Sequence, residues 1–206
     1  MSDTYNIASC QEERNMASCQ EERFLRTEKQ FDRAIADCRA IYEAKLRDYG
    51  PSWRLMRPTA VTDQILIKAD RIRSLQTKRE KMVDEPIDDA FRAMVNYGII
   101  GLIQLQLGYA DRKDISAEKA LELYDRNMGA TRRVMLAKNH DYNEAWRKMR
   151  VSSYVDLILM KLMRTKEIED HNGLTEVSEG IDANYQDIIN YSMFGLIKLA
   201  EAAEAE

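Results

Sequence analysis

The stretch Lys45-Leu46-Arg47-Asp48-Tyr49-Gly50, followed by Trp53-Arg54-Leu55-Met56-Arg57, returns as Lys138-Asn139-His140-Asp141-Tyr142-Asn143 and Trp146-Arg147-Lys148-Met149-Arg150. The two stretches lie 93 residues apart, and the same offset relates Asp63 to Asp156, Lys68 to Lys161 and Arg71 to Arg164. One inserted residue then makes the offset 94, at which Glu85, Asp88, Asn96-Tyr97 and Gly101-Leu102-Ile103 recur as Glu179, Asp182, Asn190-Tyr191 and Gly195-Leu196-Ile197. Chance does not place Trp, a paired Asp-Tyr and an apolar run twice in one order. The chain is a duplicated unit, and its fold must be one that a unit of about ninety residues can complete by packing on its own copy.

Outward from the repeat, the sequence is that of an all-α protein. Eight Gly and three Pro in 206 residues provide few tight turns, and no segment alternates convincingly with a strand's period. Phe24, Phe31, Ile35, Cys38 and Tyr42 keep helical spacing until Tyr49-Gly50-Pro51 stops the helix. Thr62 or Asp63 is the expected cap of a second helix running to about Arg79. Pro86 suits the first turn of a third, ended by Gly108, whose broad apolar face (Phe91, Met94, Val95, Ile99, Leu102, Ile103) belongs at the centre. Ser116 is the expected cap of the helix that begins the second copy, and Ser152-Ser153 and Ile181 open the remaining two. The expected domains are a mobile or loosely packed N-terminal extension at 1–23, a first helical repeat at 24–110 and a second at 111–206, packed together as one unit with pseudo-twofold symmetry. Within the extension, Ala8-Ser9-Cys10-Gln11-Glu12-Glu13-Arg14 returns as Ala17-Ser18-Cys19-Gln20-Glu21-Glu22-Arg23; a period of nine fits neither a helix nor a heptad.

A formal charge of -4, with Lys and Arg interspersed among Asp and Glu, argues against a nucleic-acid surface but leaves a small anionic ligand open. Cys10, Cys19 and Cys38 make no metal-ligand pattern and are odd in number, which fits a reducing compartment. No window is apolar enough for a membrane span, and the start lacks a signal-peptide profile, so a cytoplasmic location is expected.

The candidate chemistry comes from carboxylates. Glu85 and Asp88, like Glu179 and Asp182, stand three apart at a helix start, where both acids share one side; capping explains such a pair equally well. With Asp63 and Asp156 they form the expected catalytic and metal-binding set, and oxygen ligands of this kind prefer Mg²⁺ or Mn²⁺. Lys68, Arg71, Lys161 and Arg164 are either solvated or phosphate-binding. Asn96 and Asn190 interrupt apolar segments, so each either ties two helices together or faces a cleft. Trp53 and Trp146 read as core anchors, with base stacking the alternative. Asp48 and Asp141 are candidates for a sugar hydroxyl, a base edge or a metal, or for holding Arg54 and Arg147. No Gly-rich phosphate loop and no activated Ser or Cys is present.

These stretches, above all Asp48-Tyr49-Gly50 with Trp53-Arg54, Thr62-Asp63-Gln64-Ile65 and Asn96-Tyr97, resemble a nucleotide-modification-associated domain family of bacteria and phages grouped with the all-α MazG-like nucleoside triphosphate pyrophosphohydrolases. The likeness covers about Phe31 to Leu199. It implies a Mg²⁺-dependent enzyme cleaving between the α- and β-phosphates of a nucleotide or modified deoxynucleotide, with one carboxylate orienting water. It also implies an intrachain pseudo-dimer, with further homo-oligomerisation left open. The enzymatic pattern is incomplete. The first acidic motif is reduced to Asp63 and Asp156, and the second aligns either with Glu85/Asp88 and Glu179/Asp182 or with Asp187/Asn190, whose first-copy counterparts are Ala93/Asn96. A non-catalytic nucleotide-binding or protein-interaction domain is the alternative.

Overall fold

A computed structural model describes residues 3–77, 86–177 and 179–205, with side chains from Gln20 onward. Its helices are α1 (Asp3–Tyr49), α2 (Pro58–Thr77), α3 (Ile87–Leu107), α4 (Ala117–Asp141), α5 (Val151–Asp170) and α6 (Ile181–Glu204). Short 3-10 turns, Ser52–Leu55 and Ala145–Lys148, follow α1 and α4. No strand occurs among the described residues. The order α1, turn, α2, α3 is thus repeated as α4, turn, α5, α6.

Local chemistry explains most boundaries. Gly50 takes φ +66 and its N–H closes α1 onto the Leu46 carbonyl at 2.9 Å. The Ser116 hydroxyl accepts from the Lys119 N–H at 3.1 Å, capping α4. Gly108, at φ +71, ends α3. The start of α2 differs from expectation: Pro58 opens the helix, since its fixed φ suits a first turn that needs no N–H. Thr62 consequently lies inside α2, with its hydroxyl 2.7 Å from Tyr185 Oη and 2.7 Å from Glu169 Oε1. The backbone of α1 extends back to Asp3. The side chains of Cys10 and Cys19, and all of Glu85, lie outside the described residues.

α3 and α6 cross at the centre, α2 and α5 pack against them and each other, and α1 and α4 flank the pair. The buried faces are Phe91, Met94, Val95, Ile99 and Ile103 of α3, and Tyr185, Ile188, Ile189, Met193 and Ile197 of α6. Side chains of this kind contribute about 1.5–3 kcal/mol each when fully buried. A Cβ on Gly101 would stand 2.7 Å from the Tyr185 ring, and one on Gly195 would stand 2.8 Å from the Phe91 ring. Gly101 corresponds to Gly195, and Phe91 to Tyr185. The contact is therefore reciprocal, as it is across a twofold axis.

Two sets of ion pairs obey the same rule. Arg39 binds Asp125 with two hydrogen bonds (2.7 and 3.0 Å), and its counterpart Arg132 binds Asp32, the counterpart of Asp125, likewise (2.6 and 2.9 Å). Lys166 reaches Asp63 at 2.7 Å, while Arg73 approaches Asp156 at 4.0 Å. The reciprocal pairing of Arg39 with Asp125 and of Arg132 with Asp32 carries the correspondence between the halves upstream to Asp32. No helix among the described residues is long and apolar enough to cross a membrane.

Candidate functional site

Each copy builds a cleft in the same place, between the end of its first helix, the 3-10 turn and its last helix. In the second copy, α4 contributes Met135, Lys138 and Asn139, the turn region contributes Tyr142, Glu144, Ala145, Trp146 and Met149, and α6 contributes Asp187, Asn190, Tyr191 and Phe194. The α6 residues fall at i, i+3, i+4 and i+7, which puts them on one helical face. Of the twelve corresponding positions in the first copy, all but Pro51 line its cleft: Tyr42, Lys45, Leu46, Tyr49, Ser52, Trp53, Met56, Ala93, Asn96, Tyr97 and Ile100. The second cleft measures about 280 Å³ and the first about 660 Å³.

The aromatic signature mostly builds walls. Trp146 stacks on Phe194 (4.4 Å, 7° between planes), Arg147 lies 4.4 Å from its ring centre, and its Nε1–H donates to Asn139 Oδ1 at 2.9 Å. With Phe194 on one face and a guanidinium on the other, Trp146 anchors the core and offers the cleft only an edge. Trp53 is likewise buried, with Arg54 5.9 Å from its ring centre. The rings left to meet a ligand in the second cleft are Tyr142, which is exposed, and Tyr191, which is half-buried. Burial raises the Tyr191 hydroxyl pKa above its ordinary value, and the Asp187 carboxylate adds to this.

The floor of the second cleft is polar. Asp187, nearly buried, accepts from Lys138 Nζ at 2.6 Å and pairs with Lys161 Nζ at 2.7 Å. Burial works against the Lys138 ammonium, but the bond and charge of Asp187 outweigh it and raise the lysine's pKa. One turn further along α6, Asn190 is 5% exposed, and neither its carboxamide nitrogen nor its oxygen has a hydrogen-bond partner. Buried amides are nearly always satisfied, and leaving one unpaired costs about 1–3 kcal/mol.

Asn96 is different. Its Nδ2 donates to the Cys38 carbonyl at 3.1 Å, and its Oδ1 accepts from the Tyr124 hydroxyl at 2.9 Å. The counterpart of Tyr124 is Phe31, which has no hydroxyl to give Asn190. Both amides line their clefts, but Asn96 is also the tie between helices, whereas the Asn190 carboxamide makes no hydrogen bond.

The described members of the expected metal-ligand set do not gather at one point. Asp63 and Asp156 are exposed and face cations of the opposite half. Asp88 is held by Arg92 at 2.7 Å in the first turn of α3, and Asp182 is exposed in the first turn of α6. Glu179 lines a shallow groove with Lys161, Arg164, Glu167 and Asn184. Among the described residues no three Asp, Glu, His or Cys side chains gather around one cation-sized position, so the described donor set does not fit a Mg²⁺ ion. Asp48 and Asp141 are exposed and outside both clefts, with Asp141 3.1 Å from His140. They do not hold the arginines: Arg54 binds Asp114 at 2.7 and 3.0 Å, and Arg147 binds Glu144 at 3.2 Å and Glu201 at 2.9 Å. Lys68 lines the first cleft and Arg71 sits half-buried on α2, each with contacts of its own. The spacing of Asp187, Asn190 and Tyr191 on an apolar helix was the available signal for the second cleft; nothing in it pointed to Lys138 or Tyr142.

The family described as nucleotide modification associated domain 1 matches residues 45–105 and, separately, 138–199. No curated protein and no solved structure matches the chain.

Proposed function

The chain belongs to the nucleotide modification associated domain 1 family, twice over, and we propose that it binds a nucleotide in the cleft of its second copy, without a metal ion. A carboxamide presents an acceptor beside a donor, and every nucleobase presents the complementary pair on an edge. Asn190 would take that edge. Tyr142 and Tyr191 would flank the base, and Lys138, about half exposed, would meet a phosphate at the mouth. The observation that carries this reading is the unpaired, 5% exposed carboxamide of Asn190 in a cleft. A binding role suits this arrangement better than hydrolysis on the MazG-like plan, which needs several carboxylates on one cation.

The test is a titration of the common ribo- and deoxynucleotides, with and without Mg²⁺, followed by calorimetry and by separation of any products. Saturable, Mg²⁺-independent binding without turnover is expected. Absence of binding to every nucleotide would refute the proposal, and Mg²⁺-dependent release of pyrophosphate would replace it with the hydrolase.

A further inference from the structure

The charge of the second cleft bears on how many phosphates its ligand carries. Among the described lining residues Lys138 is the one cation, and Glu144 and Asp187 are the acids. Glu144 is fully buried and engaged by Arg23, Arg147 and Thr27. Asp187 is fixed from both sides: Lys138 Nζ takes its Oδ1 at 2.6 Å and Lys161 Nζ its Oδ2 at 2.7 Å. Lys161 lines the neighbouring groove and not this cleft. The Lys138 ammonium is thus already matched by a carboxylate of its own chain, and the charge of Glu179 acts on it as well. The repeat folds without that acid in the first copy, where Ala93 stands in its place.

We infer that Asp187 sets the ligand class of this cleft: a nucleoside or nucleoside monophosphate is accepted, and di- and triphosphates are disfavoured. The inference rests on the nucleotide reading of Asn190 and deepens it. An ammonium has three donors, so a first phosphate at the mouth can share Lys138 with Asp187. A second and a third add negative charge beside a fixed carboxylate, with no further cation in the described lining to receive it. Like charges brought together in a partly dehydrated cleft repel more strongly than in water, and such contacts exclude wrong partners. Sites that act on triphosphates instead gather several positive groups on the phosphate chain.

The test is a calorimetric series on the full chain with one base carried as nucleoside, 5′-monophosphate, diphosphate and triphosphate, in chelator so that no metal masks the phosphates. The monophosphate should bind at least as tightly as the nucleoside. The triphosphate should bind about tenfold or more weakly than the monophosphate, with the gap narrowing as salt rises. Asp187→Asn keeps the size of the side chain and removes its charge. It should close or reverse the gap while leaving the affinity for the nucleoside unchanged. A triphosphate that binds wild type more tightly than the monophosphate, or an unchanged gap in a folded Asp187→Asn, would overturn the inference. The wild-type series needs no variant and decides the point where circular dichroism shows that Asp187→Asn does not fold. Absence of binding by all four compounds would remove the Asn190 reading and this inference with it, whereas a preference for the triphosphate would remove this inference alone.

Discussion

Asn96 and Asn190 are the same residue of the same repeat, buried to nearly the same degree, yet one is tied at both ends and the other at neither. For the oxygen the cause is a ring substituent in the opposite half: the Tyr124 hydroxyl reaches Asn96, whereas Phe31 stands in the corresponding place for Asn190; the nitrogen of Asn96 donates to the Cys38 carbonyl, and Asn190 makes no such bond to Thr131, the counterpart of Cys38. An amide that stitches helices in one half is left in the other with unfilled hydrogen-bonding capacity facing a cleft. Duplication keeps the scaffold, while divergence at a partner position removes one of the bonds that hold the amide in the other half.

The arginine after each tryptophan sharpens the contrast most. Arg147 serves Glu144, whose side chain is fully buried and which also accepts from Thr27, whereas Arg54 serves Asp114, which is 36% exposed. Arg147→Met should cost about 3 kcal/mol in urea unfolding, because it removes the arginine that joins Glu144, Glu201, Thr27 and Gln30 and leaves the buried Glu144 carboxylate with Arg23 and Thr27. Arg54→Met should cost less, since water can rehydrate Asp114; equal losses would deny the difference in burial. Next come the reciprocal glycines. Gly101→Ala and Gly195→Ala should each cost about 1–3 kcal/mol through overpacking against Tyr185 and Phe91. If one destabilises and the other is silent, the twofold relation between α3 and α6 is wrong.

Asn96→Leu should then cost about 1–3 kcal/mol by stranding the Tyr124 hydroxyl, whereas Asn190→Leu should cost nothing or stabilise, since it removes an unpaired amide. Thermal melts of the two variants decide this. The smallest effects belong to Asp63→Asn and Asp156→Asn. Each breaks an exposed cross-repeat ion pair worth under about 1 kcal/mol, and neither should alter nucleotide binding. Loss of ligand binding in either variant would return these acids to the site.

The repeat, the all-α class and several helix ends were legible because each depends on local chemistry: Gly50 at positive φ, Ser116 as a cap, Gly108 as a stop. The start of α2 was misread because Thr62 has the side chain of a cap, while Pro58, four residues earlier, has the backbone of a first turn. The recurrence of Asp63 as Asp156 reads as a mark of shared chemistry. A twofold axis produces the same recurrence for an acid that bridges the halves, and sequence spacing does not separate the two cases. Asp187 was visible only as one of two alignments of an acidic motif. Its lysines stand on α4 and α5, and no periodicity along α6 reports them. Asn190 is legible as an exception in an apolar run, but the missing donor to its oxygen is set by Phe31, far away in the chain.

The central claim is that the Asn190 carboxamide is kept for a ligand and not for the fold. The direct measurement is nucleotide binding by wild type and Asn190→Leu, each with its unfolding temperature taken in the same buffer. A loss of about tenfold or more in affinity with an unchanged or raised unfolding temperature is the predicted result. Wild-type affinity in the variant, or a loss of binding that merely follows a loss of structure, would contradict it.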